Sequence, residues 1–244
     1  MEILDAHTVF GSVPYQSADL SLATLVALMR KHSIGRALSL SLKGVHYDFA
    51  LGNDETRQAG REHPEIIPVA TVDPRRHLGC AEELGLRARQ GFRAFRVFPE
   101  QQGWPLDFLP FLQLLPELEA AGLPLLINCS AIGTATKVVR ALDGFKLNVI
   151  LLGISYDTLA EAIAAAKVSS HIYIETHRLA APDAFRLLAS EAGIERMVFG
   201  SCAPVCYPGS ALMAVEKAGL TAAEKEMVLG KNLARLLDGG DADP

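Results

Sequence analysis

Eight short apolar runs, each followed by a stretch of helical periodicity, succeed one another from end to end of this chain. The runs are 2–6 (EILDA), 36–42 (RALSLSL), 66–72 (IIPVATV), 92–98 (FRAFRVF), 123–128 (LPLLIN), 148–154 (NVILLGI), 171–176 (HIYIET) and 196–201 (RMVFGS). Several are almost continuously apolar, as parallel strands covered on both faces must be. Helical spacing follows over 20–31, 54–62, 77–90, 108–121, 134–142, 157–167, 182–192 and 221–237. Leu22, Leu25, Val26, Leu28 and Met29 form one stripe in the first of these. Thr221 and Glu224 open the last in capping-box order. Gly35, Gly91, Gly122 and Gly193 stand where helices must stop. Eight such units in 244 residues predict an α/β protein built as a (β/α)8 TIM barrel, for which ~250 residues is typical. The competing fold is a doubly wound open sheet, which alternates in the same way. A single barrel domain is expected over 1–237, with 238–244 as a C-terminal tail.

Composition narrows the class of partner. Half the residues are hydrophobic, so the chain can bury a core. Lys and Arg number 23 against 28 Asp and Glu, a net charge of -5, which argues against a nucleic-acid surface. No basic segment precedes an apolar one at the amino terminus, and no run approaches ~18 apolar residues. Cys80, Cys129, Cys202 and Cys206 read as reduced thiols, and the last two lack C-x-x-C spacing. A cytoplasmic protein with no membrane and no nucleic-acid partner is expected, and homo-oligomer formation is left open.

A barrel puts its chemistry at the C-terminal ends of its strands. Those ends carry His7; Lys43 and His46; Asp73 and Arg75; Arg96 and Glu100; Asn128, Cys129 and Ser130; Ser155 to Asp157; Glu175, His177 and Arg178; and Cys202. Arg96 alternates with Phe95 and Val97, so its parity points inward, and Glu175 and His177 share a parity of their own.

The segments ILDAHTVFG, GNDETRQAGREHPEIIPVATVDP, RMVFGSCAPVCYP and KEMVLGKNLARLL together resemble the amidohydrolase superfamily, in its amidohydrolase-related branch of decarboxylases, hydratases and lactonases. The resemblance implies a metal-dependent hydrolase-like barrel whose divalent ion is held by a His-x-His pair on strand one, a His each on strands five and six, and an Asp on strand eight. Here those five positions fall on His7, Val9, Asn128, Gly153 and Cys202, so only the first keeps its residue. Val and Gly offer no side-chain ligand, and a catalytic zinc needs about three plus a water. The usual centre is therefore expected to be largely lost, with no cofactor. Zinc or manganese on His7, His177 and Cys202 is the alternative.

Two readings of function follow. The first is a hydrolase- or lyase-like enzyme on a small, anionic, carboxylate-bearing molecule. His7, His177, Asn128, Glu175 and Cys202 would be its catalytic set, with Arg96, His46 and Trp104 contacting substrate. In it Arg96 clamps the anion, His177 or His7 moves a proton, and Asn128 donates to a carbonyl oxygen. Cys202 activated by His177 would make a nucleophile. For Arg96 the opposing reading is a structural ion pair with Glu175, and Trp104 beside Pro105 could equally anchor a loop. The second reading of function is a catalytically inactive barrel that binds a metabolite or a partner protein.

Overall fold

A computed structural model describes residues 2–15, 17–181 and 183–239. Its strands are β1 (Ile3–Asp5), β2 (Ile34–Ser39), β3 (Ile66–Ala70), β4 (Ala94–Val97), β5 (Leu125–Asn128), β6 (Val149–Leu152), β7 (Ile172–Glu175) and β8 (Met197–Val198). They pair in parallel in chain order, β1 to β8, as one sheet. The first and last strands meet through the Ala6 amide donating to the Phe199 carbonyl at 2.8 Å and a parallel bridge between Thr8 and Ala203. This is a (β/α)8 barrel, and the open sheet is excluded by that meeting of its two edges.

The helices are α1 (Leu22–Lys31), α2 (Lys43–His46), α3 (Phe49–Glu62), α4 (Cys80–Arg89), α5 (Pro99–Gln102), α6 (Leu109–Leu112) and α7 (Leu115–Ala121). After them come α8 (Thr134–Ala141), α9 (Tyr156–Val168), α10 (Ala184–Glu191), α11 (Pro208–Lys217), α12 (Ala222–Glu226) and α13 (Asn232–Leu237). Sequence periodicity missed α11, because Pro208-Gly209-Ser210 looks like a loop. Proline is nonetheless suited to the first helical turn, where its missing N–H leaves no bond unmade. A π-helical stretch, Met227–Lys231, joins α12 to α13. Gly230 there lies so close to the first strand that a Cβ would meet the Glu2 carbonyl oxygen at 2.4 Å. Two residues on, Asn232 donates to the carbonyls of Ile194 and Met197, both at 2.8 Å. The Gly230–Asn232 spacing thus fastens the last helix to the barrel. Of the expected tail, residues 240–244 lie outside the described residues.

Alternation along each strand divides the core in two. Leu38, Val69, Ala94, Leu126, Ile150, Tyr173 and Val198 belong to an inner cluster, with Leu233 and Leu236 of α13 packed against it. Phe95, Val97, Leu125, Ile127, Ile172 and Ile174 belong to a larger outer cluster shared with the helices. Ala94 and Phe98 face inward while Phe95 and Val97 face out, which puts Arg96 in the barrel. Tyr173 does the same for Glu175 on β7. Among the described residues no helix is long and apolar enough to cross a membrane.

Candidate active site at the barrel mouth

Glu175, the last residue of β7, is fully buried and lies at the centre of a polar cluster. Its Oε1 accepts the His177 amide at 2.5 Å, and its Oε2 faces His177 Nδ1 at 2.7 Å, His7 Nδ1 at 3.3 Å and the Gly153 amide at 3.2 Å. The close approach of Gly200 makes room for it, since a Cβ there would meet Glu175 Oε1 at 2.3 Å. Burial pushes this carboxyl's pKa up, but the hydrogen bonds and electrostatic interaction with His177 and His7 outweigh it and hold the group below the usual carboxylate range.

The hydrogen-bond chemistry assigns the histidine tautomers. His7 Nε2 lies 3.0 Å from Arg96 Nη2, and a guanidinium can only donate, so Nε2 must carry the lone pair. The His7 proton is then on Nδ1, where it points to the carboxylate of Glu175. Burial, with the Arg96 charge beside it, lowers the His7 pKa to about 4, against the opposing pull of Glu175. His177 likewise keeps its proton on Nδ1, because Glu175 only accepts, and its neutral form has the lone pair on Nε2. The two rings meet edge to face with centroids 4.9 Å apart.

Arg96 completes the row. The alternative pairing of Arg96 with Glu175 runs through the His7 ring rather than by direct contact: guanidinium, neutral imidazole, carboxylate. Arg96 is only 7% exposed, its charge lies over the Phe98 ring at 4.7 Å, and its Nε is buried without a partner among the described residues. Burial lowers its pKa to about 10, which leaves it cationic at neutral pH. Cys202 follows β8 with φ of 59°, a left-handed conformation uncommon for a side chain of its kind. Burial pushes its thiol up to about 12, so it is a thiol rather than a thiolate at neutral pH. Ligand atoms of His7, His177 and Cys202 all lie within 4.8 Å of one another.

Other residues singled out by sequence stand outside this hydrogen-bonded cluster. Asn128 donates to Glu100 at 2.7 Å and Ser130 at 3.0 Å, and a Cβ on Gly153 would come within 2.6 Å of its Oδ1. His46 ends α2, where partial burial lowers its pKa. Trp104 is buried in the outer core against Phe111 and Phe108, its indole N–H donating to Gln102 at 2.9 Å.

Two residues escaped the sequence reading. Asp5 is fully buried; its carboxylate accepts the His7 amide at 2.9 Å, the Ser201 amide at 3.0 Å and the Ser201 hydroxyl. Asp5 and Ser201 therefore tie β1 to the segment after β8 and fix the backbone that carries His7. Their signal was available in D-x-H and G-S-C, but only as part of a motif.

Burial raises the Asp5 pKa to about 7 despite these hydrogen bonds. The native protein thus keeps this proton while the unfolded chain, with a pKa of ~3.9, gives it up. Stability from that proton is complete below ~4 and is lost as pH rises through about 7. Asp5→Asn has no such titration. Its stability relative to wild type, from urea unfolding across about pH 4–8, should climb with pH and level off above neutrality. The His7 titration has the opposite sign but is common to both proteins. A flat difference would mean that Asp5 is ionised throughout.

None of the curated proteins searched matches this sequence. Solved structures do match in fold. 5-Carboxyvanillate decarboxylase from Sphingomonas paucimobilis superposes with a TM-score of 0.79 at 17% identity, covering 97% of this chain and 99% of that one. The corresponding enzyme from Novosphingobium aromaticivorans, complexed with manganese and 4-hydroxy-3-methoxy-5-nitrobenzoic acid, gives 0.77 at 15% identity over 97% and 96%. A probable 2-pyrone-4,6-dicarboxylic acid hydrolase from Acinetobacter baumannii, with citric acid bound, gives 0.74 at 13% identity over 98% and 100%. A family profile described as amidohydrolase matches residues 48–239. With well over half its length matched, the chain belongs to the amidohydrolase family.

Proposed function

We propose that this protein is a hydrolase- or lyase-like enzyme, residues 1–237 forming one barrel domain, that acts on a small carboxylate-bearing molecule without the family's divalent-metal centre. Four of the five residues expected at the family's ligand positions do not suit that ion, and the fifth, Cys202, offers a single sulfur. Val9 packs in the inner apolar cluster, Gly153 contributes only its amide, Asn128 is engaged by Glu100 and Ser130, and the one retained ligand, His7, already accepts from a cation.

One observation carries the reading: a buried guanidinium at the barrel mouth whose Nε has no partner among the described residues. An unpaired buried donor is unfavourable, and a carboxylate satisfies a guanidinium through parallel bonds. The structural neighbours support the substrate class: one is a 5-carboxyvanillate decarboxylase, and others hold 4-hydroxy-3-methoxy-5-nitrobenzoic acid or citric acid. Arg96 would clamp the anion. His177, oriented by Glu175 through Nδ1, would present Nε2 as the general acid or base. His7 is less suited to that part because its lone pair is already taken.

A thermal-shift screen of small carboxylates tests this. A ligand at about 100 times its Kd adds ~2.7 kcal/mol, or roughly 5–10 °C in Tm for a chain of this size. Arg96→Ala should abolish the shift. Stabilisation that survives the substitution would remove the clamp, and a screen without hits would remove the carboxylate reading.

The second reading, an inactive binding barrel, is favoured by a different observation. Val9, Leu42, Val45 and Phe98 fill the inner cluster near the site, and His7 and Glu175 are 4% and 0% exposed. A stabilising carboxylate that is bound but neither hydrolysed nor cleaved would favour it.

A further inference from the structure

We propose that the Arg96 guanidinium is the built-in cation of this site, standing where the family would place its divalent ion and keeping metal ions out. This rests on the metal-free reading above and goes beyond it, because it assigns the ion's place to a particular side chain.

The arrangement around Arg96 is that of a metal pocket with the metal exchanged. Glu175 holds His7 and His177 by their Nδ1 atoms, as carboxylates orient histidine ligands from behind. The lone pairs then fall on Nε2, and one ring nitrogen of each histidine lies within 4.8 Å of the other and of the Cys202 sulfur. Two imidazoles and a sulfur would suit zinc or cobalt. Into this set Arg96 delivers its Nη2–H, 3.0 Å from His7 Nε2. The guanidinium also lies over the Phe98 ring at 4.7 Å, and its charge acts on the Cys202 thiol.

A dication entering here must take the lone pair of His7 from Arg96 and then stand beside a fixed positive charge. A guanidinium cannot escape by giving up its proton in this pH range. Glu175 supplies one negative charge, which Arg96 already balances. The same charge that excludes a metal would polarise a carboxylate or carbonyl oxygen of the substrate, as a metal does elsewhere, but without generating a hydroxide.

Cobalt titration tests the assignment, because cobalt bound by a thiolate shows a charge-transfer band in the near ultraviolet and ligand-field bands in the visible. Wild type should show neither. Arg96→Met, which removes the charge and keeps the volume, should bind one cobalt ion at least about 100-fold more tightly than wild type, with both bands. Adding His7→Ala should abolish them, and Arg96→Lys, which keeps the charge, should stay metal-poor. If Arg96→Met does not fold, Arg96→Leu serves, since it too is uncharged and donates nothing to His7.

Stoichiometric cobalt in wild type would overturn both this inference and the metal-free reading. A folded, uncharged variant that still rejects cobalt would overturn the inference alone. So would Arg96→Lys binding as tightly as Arg96→Met, since charge would then not be the cause. Failure of the carboxylate screen leaves these outcomes unaffected, so the substrate reading can fail separately.

Discussion

Glu175→Ala is expected to destabilise the protein by about 3–5 kcal/mol, the usual consequence of removing one partner from a buried charged network. Its carboxylate accepts from His7, His177 and two backbone amides, and it is the negative charge that balances buried Arg96 through the His7 ring. Without it the Arg96 charge is left uncompensated and two imidazole N–H groups lose their acceptor. Glu175→Gln should fall between wild type and alanine, because a carbonyl oxygen still accepts while the amide group donates where only acceptors are wanted. Chemical unfolding of the three proteins at neutral pH measures the order. A loss below ~1 kcal/mol for alanine would show that the network contributes little to the fold.

The second large effect is expected at Gly200, whose role is to leave space. A Cβ there would sit 2.3 Å from Glu175 Oε1, 2.5 Å from its Cγ and 2.6 Å from its Cδ. The carboxylate is fixed by four hydrogen bonds and cannot swing away without breaking them. Gly200→Ala should therefore cost about 1–3 kcal/mol from overpacking, and also displace the base of both histidines. The distinguishing readout is ligand binding: Gly200→Ala should weaken any carboxylate that Arg96 holds, although residue 200 itself does not reach it. Gly200→Ala with unchanged stability and binding would mean that Glu175 has another place to go.

How much of this was legible beforehand follows from the range over which each feature acts. The barrel could be read from the order of apolar runs, because strand and helix periodicities are local and the fold class is their sum. The inward direction of Arg96 and Glu175 was legible for the same reason, since side chains alternate along a strand. The family resemblance, carried by motifs at both ends of the chain, agrees with the profile match over 48–239. Helix α11 was missed because its first turn is built from residues that break helices elsewhere. Trp104 could be placed near the mouth by sequence position alone, yet its ring packs outward on Phe111.

Sequence by itself thus determined the eight-stranded architecture and the inward parity of Arg96 and Glu175. The family resemblance led to the expectation that Val9 and Gly153, which carry no ligand side chain, stand at ligand positions. Only the tertiary structure decided how Arg96 and Glu175 are joined. His7 from β1, Arg96 from β4 and Glu175 from β7 are 89 and 168 residues apart along the chain, counted from His7, and are brought to 3.0 and 3.3 Å by closure of the barrel. Whether Arg96 pairs with Glu175 directly or through His7, and which nitrogen of His7 holds the proton, depends on ångström distances inside a low-dielectric interior. Strand parity carries no information about such distances. They emerge only when closure of the barrel brings the strand ends together.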